Sequence, residues 1–359
     1  MSGLKQKTVL VSPLNWGLGH ATRLIPIIEV LIKKGHKVII GAYGGSAALL
    51  ESEFPQCKHI ELRGFTPSYS KTHSQSLALI LQTIPFLYYK KKEYNLTSKI
   101  VSKENIDIII SDNRYGVRHK NITSIIITHQ LSPELSNNYR WLQKSVAYFI
   151  SKWVGKFNRC WISDIAELPN YSGILGSNTF HLNNVTHIGL LSRFNACQAK
   201  NEYTIDNLAI ISGPEPWRAL FEKEIISFFK KTTGKSVIVR GLPKNDTGES
   251  ISDRNITIYN HCDSEMLNRL ICSSRNIVCR SGYSSLMDLF ASGRRALLIP
   301  TPGQSEQEYL AEHMARMHNF ISIRQKHLMT SNLSIFNKFE KNFTPYSNKK
   351  LPFIVESFL

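Results

Sequence analysis

At 359 residues the chain is too long for one ordinary core and suits two domains. With 42% hydrophobic and 20% charged residues its composition is that of a soluble globular protein, and no apolar run approaches the roughly 20 residues that span a bilayer. Forty-four Lys plus Arg against 27 Asp plus Glu give a charge of +17, which asks for an anionic partner: nucleic acid, a membrane surface or a phosphorylated small molecule. There is no zinc-finger spacing, no RNP-type aromatic motif and no long basic arm, so nucleic acid is the least expected of the three. The first apolar run is broken by Pro13 and Asn15 and has no secretory pattern. The six cysteines (Cys57, Cys160, Cys197, Cys262, Cys272 and Cys279) form no C-x-x-C and read as thiols in a reducing cytoplasm.

The chain opens with a strand over residues 8–11, then the turn Asn15-Trp16-Gly17-Leu18-Gly19-His20, then a helix over 22–34 ended by Gly35. A glycine turn between strand and helix admits a ligand close to the backbone, and the helix N-terminus favours an anion. His20 stands where a proton can be moved near neutral pH; the plain alternative is a tight turn with a helix-capping histidine. Strands at 36–40 and 58–62 with a helix at 46–53 complete a doubly wound α/β pattern, whose ligands bind at the carboxyl ends of the strands. Strands ending in Asp112 and in His129 bring two more polar side chains to the rim that carries His20. Between them, residues 76–94 combine an apolar, aromatic run with Lys90, Lys91 and Lys92. That stretch reads either as a contact with an anionic membrane or as a core helix with a solvated basic end. An aromatic helix over 138–158 and a strand at 160–164 follow.

After a polar linker at 195–206 the α/β pattern restarts, giving domains over 1–194 and 207–330 and a basic tail over 331–359. Gly213 makes a second close-approach turn. Arg280-Ser281-Gly282-Tyr283-Ser284-Ser285 leads a strand into a helix whose first N–H groups suit a phosphate, with serine hydroxyls beside them. Asp288, one turn on, suits the paired hydroxyls of a ribose. His261 follows a strand end and suits a base pocket, and Gln307 and Glu308 open a helix on the same rim and suit sugar hydroxyls. The plain alternative for Asp288 and Glu308 is first-turn acids that complement a helix dipole.

Cys-Arg-Ser-Gly at 279–282, Asp288, Gly293, Ala-Leu-Leu-Ile-Pro at 296–300 and Gln307-Glu308-Tyr309 resemble the C-terminal half of the GT-B glycosyltransferases of family 28. That group includes the enzyme that adds N-acetylglucosamine to lipid I. Gly17-Leu18-Gly19-His20 is similar to the family's N-terminal glycine–histidine loop. The resemblance implies two Rossmann-like domains facing a cleft and a nucleotide-diphosphate sugar, UDP-linked, held by the second domain. The implied transfer is a single inverting displacement, without metal or cofactor, onto an acceptor hydroxyl of the lipid-linked kind, at the cytoplasmic face of the inner membrane. On that pattern His20 and Asp112 are the catalytic candidates. Gly19, Gly213, His261, Arg280, Ser281, Gly282, Ser284, Asp288, Gln307 and Glu308 hold the donor. The sequence departs from the family where Ser212-Gly213-Pro214-Glu215-Pro216 replaces a glycine-serine loop, and where Asp288 replaces the more usual Glu. A nucleotide-sugar 2-epimerase of the same fold, or a non-catalytic binder of anionic ligands or membrane, is the competing expectation.

Overall fold

A computed structural model describes residues 6–66, 82–198, 203–242, 249–253, 255–331, 333–338, 340 and 342–358. Residues 76–81 of the amphipathic stretch and 67–75 of the loop before it lie outside the described residues.

The first half runs β1 Thr8–Pro13, α1 Gly19–Thr22, α2 Ile25–Lys33, β2 Lys37–Ala42, α3 Gly44–Glu53, β3 Lys58–Glu61, α4 Thr83–Glu104, β4 Ile108–Asp112, β5 Thr123–Thr128, α5 Gln143–Val154, β6 Arg159–Ile162 and β7 Val185–His187. Its strands pair in the order β3-β2-β1-β4-β5-β6-β7, all parallel. Helices cover both faces of such a sheet, so its strands read as unbroken apolar runs. Val9-Leu10-Val11, Ile108-Ile109-Ile110 and Ile125-Ile126-Ile127 are all buried.

The helix expected over 22–34 is two helices. Pro26 occupies the first turn of α2, where a missing N–H is tolerated, whereas inside one continuous helix it would remove a hydrogen bond. The break leaves Arg23 at the joint, 1% exposed.

The second half runs β8 Ile205–Ile210, α6 Trp217–Phe229, β9 Ser236–Val239, β10 Glu249–Asp253, β11 Ile256–Tyr259, α7 Ser264–Ser273, β12 Ser274–Cys279, α8 Tyr283–Ser292, β13 Leu297–Leu298, α9 Ser305–Met317, β14 Ile321–Ser322 and α10 Leu351–Ser357. The sheet order is β10-β11-β9-β8-β12-β13-β14. β10 is antiparallel to β11 and was not anticipated from the sequence; the other pairings are parallel.

The C-terminal segment returns to the first domain. Asn348 donates to the carbonyls of Ile188 and Leu190, Lys34 pairs with Glu356 at 2.6 Å, and Phe358 packs on Trp161. Two of the six cysteines are not thiols: Cys197, in the connection between the domains, is bonded to Cys272 of α7. The expectation of unpaired cysteines is corrected there, because folding brings together two residues 75 apart in sequence.

Candidate functional site

The carboxyl ends of both sheets face one cleft of about 750 Å³. The first domain contributes the loop after β1, Asn113 after β4, and His129 and Gln130 after β5. The second contributes Ser212–Glu215 after β8, Gly241 and Leu242 after β9, His261 after β11, Gly282–Ser285 after β12, and Gln304, Glu306 and Gln307. Among the described residues, Asn113 Oδ1, Arg193 Nε, His261 Nε2 and Gln304 Oε1 belong to cleft-lining side chains and are buried without a partner. Unpaired buried polar groups are costly, so such a lining suits a polar ligand.

On the first wall, Gly17 takes a φ of +71°, a conformation natural to glycine, and the turn delivers His20 into α1. His20 Nδ1 lies 3.1 Å from Asp112 Oδ1 and 2.8 Å from Arg23 Nη2. Asp112 is fully buried behind His20 and takes a fork of two short hydrogen bonds from Arg23 Nε and Nη2. Burial alone would raise the Asp112 carboxyl. The Arg23 guanidinium and His20 outweigh it and hold the group below the usual carboxylate range.

Arg23 Nη1 lies 2.8 Å from His129 Nδ1, and His129 Nε2 lies 3.0 Å from Glu306 Oε1 on α9 of the other domain. The His129 ring stacks on Tyr283 with centroids 4.3 Å apart. Burial pushes His129 down despite Glu306; burial pushes Glu306 up, but the His129 hydrogen bond brings it below its ordinary value. Both directions favour a neutral imidazole beside a carboxylate. Among the polar residues expected at this rim, His20, Asp112 and His129 are therefore joined, by Arg23. Arg23 and Glu306 carry no motif of their own in the sequence, although Arg23 follows the His20 turn and Glu306 directly precedes Gln307.

On the second wall, α8 starts at Tyr283 with Gly282 as its N-cap and no side chain capping it. A Cβ at Gly282 would meet nothing within 4 Å, so the backbone there is open to the cleft. Gly213 has a φ of +107° and is equally open. The acid that Glu215 adds to this loop is paired with Arg218, which also pairs with Glu222 at 2.7 Å. Asp288 lines the cleft, takes a 2.6 Å hydrogen bond from Ser192 and is pushed up to about 6 by burial. His261, 5% exposed, is pushed down to about 4 by burial and by Arg193, so its imidazole is neutral at pH 7.

Four expected donor residues are placed differently from the sequence reading. Arg280 points away from the cleft: its guanidinium donates to the carbonyls of Ile299, Pro300 and Trp217 and lies 3.9 Å from the Phe221 ring centroid. A guanidinium has five N–H donors, and here Nη1 and Nη2 tie the segment after β13 to the start of α6 inside the domain. Ser281 donates to the Gln307 carbonyl, and neither it nor Arg280 lines the cleft. Glu308 is exposed and accepts from the Gly303 N–H at 3.0 Å, closing its own turn. Ser284 lines the cleft, but its hydroxyl donates across it to the Gly19 carbonyl at 2.9 Å, so these two residues tie the walls together. Gln307 lines the cleft with its Oε1 held by the Thr301 N–H at 2.9 Å.

Residues 233–349 match the glycosyltransferase family 28 C-terminal domain. No curated protein sequence matches the chain. Solved structures match at low identity. The spinosyn rhamnosyltransferase SpnG with thymidine diphosphate is 13% identical with a TM-score of 0.62, over 92% of this chain and 90% of that one. The kitacinnamycin glycosyltransferase is 14% identical with a TM-score of 0.61, over 98% and 94%. Arabidopsis thaliana UGT89C1 with UDP-L-rhamnose is 11% identical with a TM-score of 0.58, over 99% and 93%. The chain has the GT-B fold, two α/β domains facing a cleft, and within its second half residues 233–349 are similar to the glycosyltransferase family 28 C-terminal domain.

Proposed function

We propose that the protein is an inverting glycosyltransferase that moves a sugar from a UDP-linked donor to an acceptor hydroxyl. The observation that carries this is the pairing of walls: His20 backed by Asp112 on one, and the uncapped start of α8 at Gly282 on the other. The family 28 match over the second half supports a nucleotide-sugar donor there.

In this reading the diphosphate lies against the Gly282–Ser284 backbone N–H groups and the Gly213 turn, with the ribose at Asp288, the base near His261 and the sugar near Gln307. Backbone donors and the α8 dipole stabilise the departing diphosphate. For this role His20 carries its proton on Nδ1, toward Asp112 at 3.1 Å, and keeps Nε2 for the acceptor, against the pull of Arg23 Nη2 at 2.8 Å from the same Nδ1. As the acceptor oxygen bonds to the anomeric carbon, its proton passes to Nε2, and the bond to the nucleotide diphosphate breaks on the opposite face. A base on one wall and a leaving-group site on the other suit a single displacement.

The test is His20→Ala. Turnover should fall by roughly 10²–10⁴-fold with donor affinity retained, the range for a general base; unchanged turnover rules the role out. A thermal-shift screen of UDP-, TDP- and GDP-sugars identifies the donor, because a ligand that binds only the folded state raises the unfolding midpoint.

The acceptor is proposed to be lipid-linked, met at the cytoplasmic face of a membrane. Among the described residues no helix is long and apolar enough to cross one. The support lies on α4 and α5. Ile84, Leu87, Tyr88, Tyr148 and Phe149 are exposed, as are Lys91, Lys92, Lys144 and Lys152 of the same two helices, and Lys152 Nζ lies 5.3 Å from the Tyr148 ring centroid. Ring contacts from Phe86 through Trp153 and Phe149 to Tyr148 join the two helices into one aromatic band. Aromatic rings among lysines suit an anionic interface.

A further inference from the structure

The hydrogen bonds around Arg23 connect His20 to the opposite domain. We propose that His129 and Glu306 are positioning residues for His20, so that the tautomer balance of His20 is set when the two domains meet. This rests on the glycosyl-transfer reading, in which His20 acts on the acceptor.

A guanidinium only donates hydrogen bonds. With Arg23 Nη1 at 2.8 Å, His129 Nδ1 must be the acceptor, so the His129 proton is on Nε2, and it is donated to Glu306 at 3.0 Å. Glu306 thus selects the His129 tautomer that can receive Arg23. Arg23 is a rigid planar fork held at Asp112 and at His129. Its remaining contact is Nη2 on His20 Nδ1, an atom that also faces Asp112 Oδ1. The two neighbours ask for opposite tautomers. Asp112 asks for Nδ1–H and leaves Nε2 bare to take a proton. Arg23 asks for a bare Nδ1 and puts the proton on Nε2.

Which neighbour prevails depends on where the fork pivots, and His129 holds the far end of the fork. Glu306 belongs to α9 and His129 follows β5, so their bond exists only when the two walls are together. Side chains that orient a reactive group through its hydrogen bonds, without touching substrate, act in this way on metal-bound histidines too.

The experiment compares wild type with Glu306→Ala, Glu306→Gln and His129→Phe, the last keeping a ring against Tyr283. Proton–nitrogen correlation spectra of the imidazoles report tautomers directly. UDP release from UDP-N-acetylglucosamine and calorimetric affinity for the same compound report function. Wild type should show His129 with its proton on Nε2. In Glu306→Ala and His129→Phe the His20 signals should move to a different tautomer balance, and UDP release should fall on the order of 10²-fold, the cost of a misplaced reacting group, with donor affinity retained. Glu306→Gln, whose amide oxygen still accepts from His129, should stay near wild type.

His20 signals unmoved in both folded variants overturn the proposal. So does a loss of donor affinity that accounts for the whole loss of turnover, since Glu306 is then a sugar ligand. If His20→Ala leaves UDP release unchanged, the glycosyl-transfer reading fails; if it stops release and Glu306→Ala does not, only the positioning role fails.

Discussion

Asp288 shows how a residue type and its surroundings divide the explanation. One turn inside α8, it is ordinary as a sequence feature. Burial beside Ser192 pushes its carboxyl up to about 6, and that brings its ionisation into a measurable pH window. A ribose diol donates to a carboxylate, so binding weakens as the pH falls through 6. Between pH 7 and pH 5 affinity for UDP-N-acetylglucosamine should drop about tenfold, the ratio of ionised fractions for such a group. The diphosphate diester of that ligand does not titrate there. Asp288→Asn should bind weakly at pH 7 and lose most of the pH dependence; calorimetry that finds the same slope in wild type and variant assigns the ribose to another group. Arg280 shows the opposite case. Its position before Ser281-Gly282 places it among the expected donor-binding residues, but the Ile299 and Pro300 carbonyls and Phe221 occupy its guanidinium.

Elements explain why some of this was legible. The strand–turn–helix order around Gly17 and Gly282 is written in apolar runs and glycines, which local backbone chemistry forces, and both turns reach the cleft. The split between α1 and α2 was legible in principle at Pro26. At α4 the sequence left a core helix and a membrane contact both open. In the fold, Glu93, Thr97 and Val101 face inward, while Ile84, Leu87 and Tyr88 in the first turns are exposed. Replacing Lys90, Lys91 and Lys92 with Gln should reduce flotation with anionic liposomes at low salt, since each basic residue near such a surface contributes about 1 kcal/mol. Ile84→Ser with Leu87→Ser should reduce it at high salt as well, where screening leaves the apolar contribution. Equal flotation of all variants removes the membrane role for this face.

In the whole molecule, the ties between the walls include Ser284 on Gly19, Glu306 on His129, Tyr283, whose hydroxyl donates to the Ser163 carbonyl at 2.6 Å, and Ser305, whose hydroxyl donates to the Glu134 carbonyl at 2.7 Å. The C-terminal segment adds another through Asn348 and α10. The Cys197–Cys272 bond fixes the interdomain connection to α7 and closes a loop of 75 residues. Chain entropy assigns such a loop about 4 kcal/mol of stabilisation. Urea melts with and without dithiothreitol should therefore differ by about 2–4 kcal/mol, and Cys272→Ser should reproduce the reduced curve in both conditions. Coincident wild-type curves, with thiol titration confirming reduction, mean that the bond contributes nothing to stability.

What the sequence by itself determined is the α/β class, the doubled pattern and the turns that form the cleft rim, because apolar period and glycine placement act locally. Only the tertiary structure decided the partners. Asp112 and His20 are 92 residues apart, and Glu306 and His129 are 177 apart. Whether a polar side chain reaches the cleft or is held inside its own domain depends on which acceptors packing brings within hydrogen-bond distance of it. That rule turned Arg280 and Ser281 inward and made Arg23, unassigned in the sequence reading, the link between His20, Asp112 and the opposite domain.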